Sequence, residues 1–496
     1  MPRTLTVLSL ATLLALSSCS DESATTSFLV TIDTDLPTPE IASRTRIDLY
    51  TDSGTWFESR DIDTSTPTSF PISFGIEKGA VVRVRVRIYP TGHVRPYEGE
   101  RFVDWPLVVD RTTADAPAKD ARALPRLVDA SGSDRTPATE PAPATTVDRL
   151  VRIDSGATDA AHIRLFGACA GHMAKLATWE SCEKDASARK PLAAPEPRAD
   201  KPVTVLREAC DTAATATGNA ICVPGGVFVM GDRTDEIDFP KEQFLSVVSE
   251  RVVRVRKFWI DRNEITVGRY RAAVARGFRP EEFEPAENEG PFKPTPTAAT
   301  ACTYSAKPRG REDYALSCAS WVTLRELCQF EGGDLPTEAQ WEYVARAAGG
   351  TGARRFPWGA TDPACDMALF GRTSGTGCPK EPWPKELAVV DENGASPFET
   401  DRTPLGVYGL AGSLSEFVLD SIAEYTDTCW TSSAWDSATC SGPFPTAKEA
   451  ADPDLRRVAR GGSWIAPPGF VRGTVRIKAS LASPFYGARC AYASQP

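Results

Sequence analysis

The chain is 496 residues long and carries 66 acidic against 56 basic residues, a formal net charge of −10. That length can bury more than one core, at about 100 to 200 residues per domain. The acidic balance and the lack of any lysine or arginine block argue against a nucleic-acid or anionic-lipid binding surface, which needs clustered positive charge.

Arg3 and the apolar run Leu5 to Leu16 have the pattern of an export signal, and the run is too short to span a bilayer. Residues 1–18 are therefore read as a signal peptide missing from the mature protein. The run closes on Leu16, Ser17, Ser18 and Cys19, which resembles the bacterial lipobox. The resemblance implies cleavage before Cys19 and lipid on its thiol. One acyl chain anchors a protein only marginally at about 0.8 kcal/mol per buried methylene, whereas the several chains of a lipoprotein hold it stably. The expected product is a bacterial cell-envelope lipoprotein with the membrane as its first partner. Ser20 after the anchor implies the outer membrane. Setting Cys19 aside leaves an even number of the 13 cysteines, and an oxidising compartment favours pairing all of them.

Residues 19–26 are small and polar and read as a tether. From 27 to 168 the pattern is that of strands: Phe28 to Asp33, then Ile47 and Leu49, then Val82, Val84, Val86 and Ile88 alternating with Arg83, Arg85 and Arg87. A period of two predicts half-buried strands in a small, all-β, antiparallel sandwich with one face in the core and the other wet. The arginine stripe reads as a charged, exposed sheet face rather than a polyanion site. Thr136 to Thr146 is a Pro-, Ala- and Thr-rich loop. Residues 169–221, with Cys169, Cys182, Cys210 and Cys222, have little apolar periodicity and read as a disulfide-stapled connector. Their spacings of 13, 28 and 12 lack the close C-x2-C pairs of zinc sites.

Residues 222–496 carry a series of motifs in order. They are Gly225 to Gly231 (GGVFVMG), Phe258 to Asp261 with Glu264, Ile265 and Thr266, Ser320 and Trp321 opening a helix that ends near Cys328, and Leu335 to Tyr343 (LPTEAQWEY). Phe356 to Gly359 (FPWG), Arg460 to Trp464 (RGGSW) and Gly487 to Cys490 (GARC) follow. In Leu335 to Tyr343, Pro336 costs no hydrogen bond at a helix start, Thr337 can cap, and Glu338 and Glu342 suit the first turns through the helix dipole. Trp321, Trp341, Trp358 and Trp464 supply large apolar area to a core held by irregular loops. The ordered set resembles the formylglycine-generating enzyme family, also called the sulfatase-modifying factor family. The resemblance implies an α+β, loop-rich fold, a variant of the C-type-lectin-like fold.

The resemblance also implies site residues. It pairs Cys328 with Cys490, and the remaining cysteines then pair locally, Cys169 with Cys182, Cys210 with Cys222, Cys302 with Cys318, Cys365 with Cys378 and Cys429 with Cys440. Members that oxidise a substrate cysteine hold copper with two cysteines shortly after R-G-G-S. Those positions here are Ala466 and Val471, which offer no soft ligand. The iron-dependent sulfoxide synthases of the superfamily use histidines, but His93, His162 and His172 all precede the motif-bearing region, and no H-x3-H-x-E pattern occurs. The family's calcium loop appears as Gly409 to Phe417. It keeps Glu416 and the carbonyls of Gly412 and Leu414, while Gly409 has no side-chain oxygen, so calcium is expected to bind weakly if at all. These residues point to a non-catalytic envelope module that displays a surface for a protein, peptide or glycan. The alternative is an enzyme of the same superfamily with an atypical site.

Overall fold

The computed structural model of the chain describes residues 25–64, 69–93, 101–104, 125–136, 140–157, 160–184, 189–192, 194–195, 204–210, 219–232, 250–281, 284–291, 299–349, 353–372, 378, 388–389, 396–425, 430, 457–479 and 482–496. The export signal, Cys19 and the expected Cys429 to Cys440 pair lie outside these residues.

Two sheets face each other in the N-terminal region. In one, β1 (Thr25–Thr34) lies between β4 (Ser69–Glu77) and β9 (Ala160–Leu165); in the other, β3 (Trp56–Asp63), β2 (Arg44–Thr51), β5 (Val81–Tyr89) and β8 (Val147–Asp154) follow in that order. The alternating apolar residues, Val30 and Ile32 of β1 and Val84 and Val86 of β5 among them, fill a shared core. The sandwich is not wholly antiparallel. β8 and β9 are consecutive yet belong to different sheets, and β9 enters the first sheet parallel to β1, with Leu29 opposite Ala160 and Thr34 opposite Leu165.

Nor is the arginine face wet, as the alternation predicts. Arg87 is 0% exposed and Arg85 5%. Arg87 pairs with Asp48 (2.7 Å) and Glu140, and Arg85 with Asp148 (2.6 Å). Phe102, in β6 (Arg101–Val103), lies 5.0 Å from the Arg46 guanidinium, and Arg46 also reaches Glu140 (3.1 Å). A period of two tells which residues share a face; it does not tell whether later chain covers that face. Burial alone would raise the Asp48 carboxyl, but Arg87, Arg46 and Arg85 hold it down at about 2.

The C-terminal region is sheet-rich and loop-rich, with three α-helices among the described residues: α1 (Val267–Ala275), α2 (Trp321–Phe330) and α3 (Glu338–Arg346). Each is capped by the hydroxyl that precedes it, Thr266, Ser320 and Thr337 accepting from the amides of Arg269, Thr323 and Gln340 at 3.1 Å. Gln340 answers Thr337 to complete a capping box. Helices of nine or ten residues are marginal alone and depend on packing.

β6 pairs with β7 (Arg126–Val128), and the strands after β9 are mostly short. β10 (Glu180–Cys182) pairs with β11 (Arg189–Pro191), β12 (Ala220–Val223) and β20 (Ala491–Tyr492) flank β15 (Phe258–Asp261), and β13 (Gly226–Met230) pairs with β14 (Arg251–Val255). The last sheet runs β18 (Arg476–Ala479), β17 (Arg457–Arg460), β16 (Ser415–Ser421), β19 (Tyr486–Gly487). The β13–β14 ribbon joins the two regions. Phe228, Met230, Val253 and Val255 pack into the C-terminal core, while Val227 and Val252 pack into the sandwich core. Disulfides join Cys169 to Cys182, Cys210 to Cys222, Cys302 to Cys318, Cys328 to Cys490 and Cys365 to Cys378. Cys169 and Cys182 are buried in the sandwich core, so that staple serves the sandwich rather than a coreless connector.

Removing one partner of a buried pair leaves the other charge uncompensated. Arg87→Ala is therefore expected to destabilise the sandwich by about 3–5 kcal/mol, read as a lowered urea midpoint at pH 7. A loss below about 1 kcal/mol, the scale of an exposed pair, would mean this face is wet.

Candidate functional site

The site-bearing loop hangs from a buried ion network that begins in α3. Glu338 and Glu342, placed one turn apart, are both fully buried. Glu338 accepts from Arg476 at 2.6 and 2.9 Å and from Arg460 at 3.3 Å. Glu342 accepts from Arg460, from Arg346 at 2.7 Å and from the amide of Gly231 at 2.8 Å. The carboxylate that meets the first turn of α3 is Asp420, accepting from the Glu338 amide at 2.6 Å. The two glutamates thus do more than suit the helix dipole. They clamp α3 onto β17 and β18.

Between β17 and β18 the chain turns through Gly461 and Gly462, at φ of 89° and 71°. A Cβ on Gly461 would lie 2.7 Å from the Leu410 carbonyl oxygen, so only glycine fits. A Cβ on Gly462 would lie 3.0 Å from Cγ1 of Val471 and 3.3 Å from Cβ of Ala466. The fold therefore brings the two positions together across Gly462, as a pair of metal ligands would require. Val471 is fully buried, and both side chains pack with Phe356, Phe370 and Ala411. A methyl and an isopropyl group offer no lone pair, so these residues do not fit copper.

The expected calcium loop leads to a second network. Glu416 is 1% exposed and accepts from Arg489 at 2.7 Å and 2.5 Å and from the Trp341 indole at 2.8 Å. Arg489 also donates to the carbonyls of Tyr408 and Gly409, at 2.7 and 3.2 Å. The amide of Leu414 donates to Glu264 at 3.0 Å, and the amide of Gly412 to the carbonyl of Gly461 at 2.9 Å. Both oxygens of Glu416, the side-chain ligand that the resemblance offers to calcium, are thus engaged by the Arg489 guanidinium.

Beside it lies a small cavity lined by Asn263, Glu264, Leu369, Phe398, Asp401 and Ser413 among others. Glu264 accepts from the Ser413 hydroxyl (2.8 Å) as well as from Leu414. Asp401 accepts from the Ala411 amide (3.2 Å) through one oxygen, and the other has no hydrogen-bond partner. Burial, and then the Glu416 carboxylate, push Glu264 up to about 8; burial pushes Asp401 up to about 7. The charge of Arg489, paired with Glu416, offsets only part of the upward push of burial on Glu264 and Asp401. Glu264 stands in a recognisable motif, but its role is invisible without its neighbours. Asp401, in the segment Thr400 to Thr403, carries no sequence signal at all.

Residues 207–494 match the family described as the sulfatase-modifying factor enzyme 1-like domain. The chain is 28% identical over 167 residues to a formylglycine-generating enzyme of Streptomyces coelicolor, covering 29% of this chain and 51% of that protein. It is 27% identical over 281 residues to a hercynine oxygenase of Mycolicibacterium smegmatis, covering 52% and 57%. It is 28% identical over 160 residues to the inactive C-alpha-formylglycine-generating enzyme 2 of Bos taurus, covering 32% and 40%. The chain spans about half the length of these curated relatives.

Both raised carboxyls bind protons more tightly in the folded chain than in the unfolded one. Their contribution to stability is complete below about pH 4. It is lost as pH rises through about 7 and 8. Thermal melts between pH 5 and 9 should therefore fall more steeply for the native protein than for Glu264→Gln combined with Asp401→Asn. Equal slopes would refute the assignment.

Proposed function

The chain belongs to the sulfatase-modifying factor enzyme 1-like domain family through residues 207–494, and from that premise we propose that it is a non-catalytic display and binding module of the bacterial cell envelope. The observation that carries this reading is the pair Ala466 and Val471, two hydrocarbon side chains packed against Gly462 where cysteines of the family hold copper and the substrate thiol. The ten cysteines paired among the described residues are in disulfides, and a disulfide sulfur is a poor copper ligand. The fold of this region is a variant of the C-type-lectin-like fold. Its irregular loops present a surface for a protein, peptide or glycan, and the sandwich stands nearer the membrane.

A second reading, an enzyme of the superfamily with an atypical site, is favoured by one observation. Glu264 and Asp401 are buried carboxyls that stay partly protonated near neutrality beside a cavity, a condition in which carboxyls serve as acids or bases.

The purified protein is expected to leave a cysteine-containing sulfatase-type peptide unchanged, with or without added copper. Mass spectrometry after incubation in air reads the result. Loss of sulfur with gain of an aldehyde, dependent on the protein and on copper, would overturn the non-catalytic reading in favour of the second.

The anchor rests on the lipobox resemblance at Leu16 to Cys19. Expressed in a bacterial host, the native chain should partition into the detergent phase with acyl mass on Cys19. The Cys19→Ala variant should accumulate unprocessed or be released. Detergent-phase recovery that is the same for both, with no acyl mass, would remove the anchor from the proposal.

A further inference from the structure

Cys365 and Cys378 belong to the apolar cluster that encloses Val471 and Ala466. The residues after Cys365 run alongside that loop, the amide of Gly371 donating to the carbonyl of Ala466 (2.9 Å) and that of Arg372 to the carbonyl of Trp464 (2.8 Å). Most of the other disulfide sulfurs are sealed: Cys328 and Cys490 are 0% exposed, Cys169 and Cys182 1% and 2%, Cys302 and Cys318 3% and 4%. Cys365 is only partly buried, and Cys378 is 8% exposed. Cys210 is also partly buried and Cys222 is 9% exposed, so exposure alone does not separate the two pairs, but Cys222 is held in β12 opposite Trp259 of β15. Residues 361–372 have no helix or strand to restrain Cys365. Arg372 donates to the Cys365 carbonyl (3.0 Å).

We propose that Cys365–Cys378 is a thiol–disulfide exchange site, reducible in the folded protein by a dithiol partner. One thiolate of the partner attacks Sγ of Cys365, forming a mixed disulfide as the Cys365–Cys378 bond breaks and Cys378 leaves as thiolate and takes a proton. The partner's second thiolate then attacks its own sulfur in the mixed disulfide and frees Cys365. The partner ends as a disulfide and the pair as two thiols, a transfer of two electrons. Reduction unlocks one wall of the cluster around Val471, where Trp358 stacks on Phe356 at 5.2 Å and 5°.

Limiting dithiothreitol on the native full-length protein, followed by alkylation at timed intervals and peptide mass spectrometry, tests this directly. Cys365 and Cys378 are expected to be labelled together at least tenfold faster than any other pair. Faster labelling of Cys210 and Cys222, or labelling of all pairs only as the protein unfolds, overturns the proposal. Acrylamide quenching of tryptophan should rise on this first reduction in the native chain and not in the Cys365→Ser, Cys378→Ser variant. An equal rise in that variant would place the change elsewhere. A variant that fails to fold leaves the labelling order as the deciding measurement.

Discussion

Four charged side chains taken fully out of water, Glu338, Glu342, Arg460 and Arg476, fix the position of everything near the site. Burying charge costs several kcal/mol per ion unless each is paired and hydrogen-bonded. Here nearly every polar atom is met: Arg460 donates to both glutamates and to the carbonyls of Gly473 and Thr474, and Arg476 also reaches the carbonyl of Ala423. The network is directional in a way that apolar packing is not. It fixes α3, β17 and β18 relative to one another, so the loop between the two strands can turn through Gly461 and Gly462 without regular structure of its own. A hydrophobic replacement of similar volume could equal its stability but would not set that register.

A second arginine plays a comparable part at the loop Gly409 to Phe417. Arg489 neutralises Glu416, takes up the carbonyls of Tyr408 and Gly409 and so ties the C-terminal segment to the loop before β16. A guanidinium fork can satisfy a carboxylate and several carbonyls at once, which is the set of oxygen atoms a calcium ion would otherwise gather. Burial beside this pair pushes Glu264 up to about 8 and Asp401 up to about 7.

The two regions of the chain are joined by more than a linker. The β13–β14 ribbon carries apolar residues on both faces, each meeting a different core, and Leu206 donates its amide to the carbonyl of Asp35 just upstream. An interior continuous through a ribbon transmits displacement better than a loop, since packed side chains leave no slack.

The sequence by itself determined the family, because motifs such as Leu335 to Tyr343 and Arg460 to Trp464 are local strings whose order survives divergence. It also determined the strand character of the N-terminal region and the Thr337 cap of α3, since a period of two and a Thr before a helix act over a few residues. The absence of soft ligands at Ala466 and Val471 is likewise a matter of residue type. Only the tertiary structure decided what covers what. Arg85 and Arg87 look like an exposed stripe until Glu140 and Phe102 arrive from later in the chain, and Glu338 and Glu342 look like dipole partners until Arg460 and Arg476 reach them from more than a hundred residues away. The meeting of Glu264 with Asp401, and of the Cys365–Cys378 disulfide with Val471, has the same origin: charge and access depend on neighbours that local sequence does not specify.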